Sequence, residues 1–340
     1  MNILLTMCYL RDRSGAEWFT LDLALALHRR GHRVAVFTFG GFGDMAQPLH
    51  DAAIPCLTRL QQLTWLPDVV IGNTHDETVA AAAFLPGTPL LPVCHDADAQ
   101  HGLPPGGPDV HAWCAVDLAC LQRLTLDCGI DPGKIRRMHN GVERGRFAPR
   151  AALPARPVRA LIFSNYSTPG PETDALLAGC ERAGVQLDML GAGLGQQSPD
   201  PGAVLGSYDL VFGVARCAAE ALVTGCGVVL FKQGFGLGPL VTRDRIAHVH
   251  AWNFGRGELT APVTAERVAA EIRRWDADDA MACVHWARGH CDQSAAVDRW
   301  EALCREAVAL RPPGRAPWSA LRRRWLRWRG SGSPSRRLAR

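Results

Sequence analysis

The sequence predicts an α/β protein built from two parallel-sheet domains, and three observations carry that expectation. Short apolar runs of strand length alternate with stretches of helical periodicity along most of the chain, the pattern of a parallel sheet covered on both faces. The length, 340 residues, exceeds one typical domain and suffices for two, each with its own core. Finally, Val204 to Thr242 reads as a strand (Leu210 to Phe212), a Gly turn, a helix carrying Arg216 and Glu220, and an apolar strand (Gly227 to Phe231) entering a second Gly-rich turn with Gly236 and Gly238. Two such βα junctions set a helix N-terminus and bare glycine amides at one sheet edge, where a phosphorylated ligand can be held.

Taken in order, residues 2–8 (NILLTMC) form a buried strand, and the segment from Leu10 to Glu17 turns the chain into a helix lined by Leu21, Leu23, Leu25 and Leu27. Gly31-His32 stops that helix, and Arg33 to Phe39 is the second strand of a βαβ unit. Gly15 reads as a tight-turn residue whose bare backbone either approaches a ligand or serves the turn alone. Further strands are expected at Asp68 to Gly72, Leu90 to Cys94 and around His111 to Val116. The stretch Ala151 to Pro157 reads as a linker, and Val158 to Phe163 begins a second βα series with a boundary near residue 155. Gln186 to Leu190 is a strand running into Gly191-Ala192-Gly193-Leu194-Gly195, which departs from the dinucleotide fingerprint because Gln196 stands at the third glycine. Val263 to Leu310 is helical in pattern.

Composition narrows the function classes. With 47% hydrophobic and 21% charged residues the chain is globular, and its most apolar run, Val79 to Cys94, is broken by Pro86, Gly87, Pro89 and Pro92, which excludes a spanning helix there. Met1-Asn2 leads straight into an apolar strand without a basic leader, so a first strand is expected rather than a signal peptide. The 12 cysteines are scattered without a C-x-x-C pair and read as reduced core thiols. Cys283, His285, His290 and Cys291 match no zinc spacing, so no metal is expected. Lys134 and Lys232 are the only lysines beside abundant arginine, alanine and glycine, which suggests GC-rich coding and a bacterial source.

Charge is concentrated at one end. Arg311 to Arg340 holds ten arginines and no acid, and removing them from the formal +4 leaves residues 1–310 at −6. Trp318, Leu321, Trp325 and Trp328 recur at helical spacing among these arginines, as in a basic amphipathic helix that binds an anionic membrane; a disordered extension is the alternative. No nucleic-acid partner is expected, because the body is net acidic and no reader fold accompanies the basic tail.

Glu220-Ala221-Leu222-Val223-Thr224-Gly225 is similar to the Glu-Ala-Met-Ala-x-Gly signature of family 4 GT-B glycosyltransferases. The opening Ser14-Gly15-Ala16-Glu17, the helix end Arg30-Gly31-His32 and the text from Leu121 to Phe147, with His139-Asn140-Gly141-Val142 as a hinge, also resemble that family, including its family 1-like bacterial branch. The resemblance implies a GT-B fold of two Rossmann-like domains with an interdomain cleft: an acceptor domain over 1–155, a nucleotide-sugar domain over 156–295, a helix over 296–310 crossing back, and the tail 311–340. It implies a metal-independent, hexosyltransferase-like enzyme that needs no cofactor, moving a sugar from a UDP- or GDP-linked donor to a lipid-linked or surface-polysaccharide acceptor. Cytoplasmic location, peripheral on the inner membrane face, would follow.

By the same resemblance Glu220 meets the ribose hydroxyls, the other reading being a helix-face acid paired with an arginine. Arg216 meets the diphosphate or bridges to Glu220. Gly15, Gly236 and Gly238 give backbone access, and His95 with Asp96, after a strand, takes the catalytic place near the transferred sugar, with His75-Asp76 a weaker duplicate. There are departures. Phe212 stands where the family carries a second Glu, and Phe163 to Thr168 (FSNYST) lacks the usual cations, so Ser164, Asn165, Arg216 and helix amides must serve the diphosphate. Those departures keep open a catalytically silent nucleotide-sugar-binding protein, or an epimerase of the same architecture.

Overall fold

The computed structural model describes residues 1–99, 102–150, 152–196, 198 and 200–311. The expectations for the basic tail therefore lie outside the described residues, apart from Arg311. The chain divides into two compact units, the first comprising residues 1–115, 124–136 and the stretch beginning at Arg299, the second residues 116–123 and 137–298. Residues 137–155, expected to close the first domain and link it to the next, thus pack with the second unit. The reason is visible at Val142, which forms a parallel bridge with Asp292, and at Gly141, whose missing Cβ would meet the Cα of Gln293 at 2.4 Å.

In the first unit the strands are β1 (Asn2–Thr6), β2 (Arg33–Phe37), β3 (Cys56–Leu57), β4 (Val69–Gly72), β5 (Leu90–Cys94), β6 (Trp113–Ala115) and β7 (Ile135–Arg137). They form one sheet in the order β3-β2-β1-β4-β5-β6-β7, and the pairs from β3 through β6 are parallel. The first strand ends two residues earlier than its apolar run suggested, because Met7 and Cys8 already belong to the loop at its carboxyl end. That loop is laced to the loop after β2: Gly40 N–H donates to Cys8 O, Leu10 N–H to Gly41 O and Gly43 N–H to Leu10 O.

The second unit holds β8 (Arg159–Phe163), β9 (Gln186–Leu190), β10 (Leu210–Gly213), β11 (Gly227–Lys232) and β12 (Gly236–Leu240), in the order β12-β11-β10-β8-β9. Side chains alternate between faces with the strand period of two. Leu161, Val211, Val228 and Leu230 share a core with Ala218 and Leu222 of the helix Ala215–Thr224, whereas Ile162, Leu210, Phe212 and Val229 pack with Leu176 and Cys180 of the helix Pro171–Arg182 and with Val268 and Ile272.

One expectation fails here. The second Gly-rich turn does not lead into a helix: β11 turns back through Gln233-Gly234-Phe235, with Gly234 at φ 78, and pairs antiparallel with β12. The second sheet is therefore mixed, with an antiparallel edge strand. A three-residue loop with a glycine in the left-handed region is a hairpin connection, and it captured an apolar-then-glycine pattern that reads equally well as a βα turn.

The helical stretch expected over 263–310 resolves into Ala265–Arg273, Ala277–His290 and Gln293–Ala309. The last begins in the second unit and ends in the first, the division falling between Asp298 and Arg299. Within the first unit Glu301 accepts from Arg30 at 2.9 Å and meets His32 at 2.5 Å, while Trp300 lies buried against Phe19. All twelve cysteines are free, eight of them buried, and burial pushes the half-buried Cys56 up to about 11. Among the described residues no helix is long and apolar enough to cross a membrane.

Candidate functional site

Each sheet reverses its strand order once, and loops at such a reversal splay apart to leave a crevice at the carboxyl ends of the strands. In the second unit the reversal lies between β8 and β10, since β9 pairs on the far side of β8. The loop after β8 contains Ser164, whose Oγ accepts the amides of Tyr166 and Ser167 at 3.3 and 3.2 Å. Asn165 accepts through Oδ1 from Ala192 N–H at 3.2 Å, and its carbonyl accepts from Gly193 N–H. Here the glycine run after β9 finds its role. A Cβ on Gly191 would lie 1.8 Å from Ser164 O and one on Gly193 would lie 2.3 Å from Ser167 O, so these glycines let two loops meet backbone to backbone.

Ser167 is fully buried and its Oγ has no hydrogen-bond partner. Sequence reasoning missed it, since an isolated Ser in a loop carries no pattern. A buried hydroxyl without a partner costs free energy, about 1–3 kcal/mol, and such exceptions mark places where a ligand or water completes the bonding.

After β10 the chain enters the helix Ala215–Thr224 through a strained turn. Ala215 has φ 51, and its N–H donates to the carbonyl of Phe254, itself at φ 51 beside Asn253 at φ 53. Non-glycine residues in this left-handed region cost on the order of 1 kcal/mol or more each and concentrate at functional loops. On the helix, Arg216 Nε donates to Glu220 Oε1 at 2.6 Å, with side-chain exposures of only 11% and 8%. The pairing that the sequence offered as one reading of these two residues is thus present in the structure. Phe212 is wholly buried on the face opposite this helix, so the position held by an acid in the family is here part of the core.

Gly236 and Gly238 are not in a ligand loop. Both lie in β12, buried, where a Cβ would stand 2.6 Å from Ala261 O and 2.8 Å from Glu258 O respectively. Their role is close backbone packing. At the tip of the preceding hairpin, Phe235 is 42% exposed between Lys232 Nζ, 4.0 Å from its ring centre, and the Arg256 guanidinium.

In the first unit the reversal lies between β1 and β4. Gly15 is the first residue of the helix Gly15–Arg29, has no positive φ and would leave a Cβ in open space, which corrects its reading as a tight-turn residue. The turn is built by Ser14 and Glu17 instead. Ser14 Oγ accepts Glu17 N–H, Glu17 Oε2 accepts Ser14 N–H, and Oε1 accepts the amides of Arg11 and Asp12 at 2.8 and 2.9 Å. That capping box explains why serine serves where the family has glycine. Burial pushes the Glu17 carboxyl up against the pull of these hydrogen bonds.

His95 stands at the end of β5, half-buried. Its Nε2 lies 2.9 Å from Asn73 Oδ1, Asn73 Nδ2 donates to Thr20 Oγ1 at 3.2 Å, and Thr20 Oγ1 donates to Ala16 O at 2.9 Å. Phe19 meets the imidazole edge-on at 4.8 Å. Burial pushes His95 down to about 4 although Asp96 pulls the other way. Asp96 folds its own loop, Oδ1 accepting the amides of Asp98 and Ala99. His75 meets Leu103 O through Nδ1, away from the Asn73 chain.

Among the described residues no three His, Cys, Asp or Glu side chains gather as a metal site. Cys283 and Cys291 lie in the core of the second unit, and His290 stacks on Trp286.

Residues 13–146 match the family model described as Glycosyltransferase Family 4. A comparison with curated protein sequences finds no match. Among solved structures, HepE of Anabaena in complex with UDP-glucose is 17% identical with TM-score 0.65, over 89% of this chain and 99% of that one. A glycosyltransferase of Rickettsia africae is 15% identical with TM-score 0.64, over 90% and 98%. The lipopolysaccharide outer core galactosyltransferase WaaB is 11% identical with TM-score 0.57, over 88% and 98%. At these identities the likeness is one of fold, and that fold is GT-B.

Proposed function

From a GT-B chain whose residues 13–146 match glycosyltransferase family 4, we propose that this protein transfers a sugar from a UDP- or GDP-linked donor to a lipid-linked or surface-polysaccharide acceptor. The observation that carries the reading is the buried Glu220, held with Arg216 on the helix behind the strained turn at the strand-order reversal of the second sheet. In this reading Glu220 accepts the ribose hydroxyls. Arg216, the helix amides and the loop of Ser164, Asn165 and Ser167 receive the diphosphate. No metal is required, because helix dipole and guanidinium supply the positive charge on the leaving group.

On the first unit, His95 with Asp96 serves transfer, and the acceptor is bound there. That HepE was solved with UDP-glucose and that WaaB is a lipopolysaccharide galactosyltransferase support the choice of donor and acceptor class. We place the protein in a bacterial cytoplasm, held on the inner membrane by its arginine-rich tail.

The buried Phe212 and the cation-free loop after β8 favour a second reading, a protein that binds nucleotide sugars without transferring them. A thermal-shift panel of nucleoside diphosphates and nucleotide sugars, followed by assay of the stabilising donor, separates these outcomes. Release of nucleotide with loss of the sugar supports a transferase, sugar interconversion an epimerase, binding alone the second reading, and no binding overturns both.

A further inference from the structure

We infer that Asn73 and Thr20 are positioning residues that hold His95 as its Nε2–H tautomer, so that Nδ1 presents a lone pair to a substrate hydroxyl. The direction of the chain follows from its far end. Ala16 O is a carbonyl and only accepts, so the Thr20 hydroxyl spends its hydrogen there and offers lone pairs to Asn73. Asn73 must then turn its NH2 toward Thr20, which leaves Oδ1 facing His95. An amide oxygen only accepts as well, so the hydrogen in the 2.9 Å contact sits on Nε2. The opposite amide orientation would set Oδ1 against the Thr20 lone pairs, and Thr20 and Asn73 are 0% and 2% exposed, too deeply buried for solvent to relieve that conflict.

Two further contacts complete the device. Phe19, 4.8 Å away and itself packed edge-on to the buried Trp300, blocks rotation of the imidazole. Asp96, on the ring's own loop, is the charged group acting on it and favours the cation, yet burial prevails and the ring stays neutral well below neutral pH. Among the described residues Nδ1 has no protein partner. A neutral imidazole fixed this way is an acceptor for a hydroxyl hydrogen, the chemistry of a sugar, and a poor partner for a phosphate.

The identity of that hydroxyl rests on the proposed transfer function, but the tautomer does not, and the experiment reads the tautomer. The full chain, labelled with 15N in its histidine rings, is examined by two-bond proton–nitrogen correlation from about pH 5 to about pH 9, with His95→Gln identifying the peaks. The expected result is the neutral Nε2–H pattern unchanged across that range. Asn73→Asp, nearly the same shape, should raise the titration midpoint of His95 by about 2 units through the added carboxylate. Thr20→Val, which removes the acceptor for Asn73, should give a mixture of both tautomers.

A Nδ1–H pattern, a mixture in the unsubstituted protein, or an ordinary histidine midpoint near 6.5 would overturn the inference. So would an Asn73→Asp protein whose midpoint is unmoved. Should that variant not fold, the unsubstituted protein and Thr20→Val decide. If the donor panel finds no nucleotide-sugar ligand while the Nε2–H pattern holds, the transfer reading fails and the positioning chain stands.

Discussion

Removing the carboxylate of Glu220 tests two roles at once, and the structure separates their sizes. Glu220 lies 2.6 Å from the Arg216 Nε, both side chains about nine-tenths buried, so Glu220→Ala removes the carboxylate from a buried guanidinium. Breaking a buried pair from one side costs about 3 kcal/mol or more, which in a unit of this size lowers its melting temperature by about 6–12 °C. A loss of donor affinity in that variant would be uninterpretable. Glu220→Gln is the informative change: it keeps the shape and one carbonyl oxygen for Arg216, and it converts a charged acceptor of ribose hydroxyls into a neutral one.

The expected loss of UDP affinity in Glu220→Gln is about 1.5–2 kcal/mol, or roughly 10- to 30-fold in Kd, read by titration calorimetry on protein shown to be folded by its melting transition. Arg216→Met with Glu220→Leu, which replaces the pair by apolar groups, should recover most of the stability lost in Glu220→Ala without recovering UDP binding. If Glu220→Gln binds UDP as tightly as the unsubstituted protein, Glu220 serves only as the partner of Arg216 and the donor site must be sought elsewhere.

Three further outcomes are expected. His95→Ala should lower sugar transfer by about 10²-fold with nucleoside diphosphate affinity unchanged, as measured by steady-state kinetics beside calorimetry. Burial acts to raise the Glu301 carboxyl, but His32, Arg30 and Arg305 outweigh it and hold it below its ordinary value of 4.5; a depressed carboxylate stabilises above that value and loses its contribution as pH falls through the lowered one. Melting temperature should therefore drop on acidification below about pH 4.5, and less steeply in Glu301→Gln. Truncation after Arg311 should leave the melting temperature and UDP binding intact and abolish sedimentation with phosphatidylglycerol vesicles, whereas unchanged sedimentation would place the membrane anchor elsewhere.

The fold was legible wherever burial repeats with a local period. The first sheet, with its apolar runs at Asn2, Arg33, Val69 and Leu90, and the β10 strand followed by the helix of Glu220, announce themselves because strands buried on both faces are continuously apolar and a helix repeats every three to four residues. The antiparallel β12 was hidden, because an apolar strand entering a Gly-rich turn looks the same whether a helix or a hairpin follows; only the left-handed φ of Gly234 decides. Gly15, Gly236 and Gly238 stand in other settings than the turns read for them, for a related reason. A glycine marks a close approach of backbone, but the sequence does not say whether the approaching group is a ligand or, as at Gly238, the carbonyl of Glu258.

The site residues divide along the same line. Glu220, Arg216 and His95 could be offered as candidates because each follows a readable strand, at the edge where loops converge. Asn73, Thr20 and Ser167 could not. Thr20 looks like one polar residue on a helix and Asn73 like one loop amide, and their separation of 53 positions is closed by the pairing of β1 with β4. Their hydrogen bonds acquire direction from a single fixed point, the carbonyl of Ala16, and that direction passes through two side chains to decide which nitrogen of His95 carries its proton. A candidate residue is thus a local property of the chain, whereas the protonation state it presents is a property of the packed sheet.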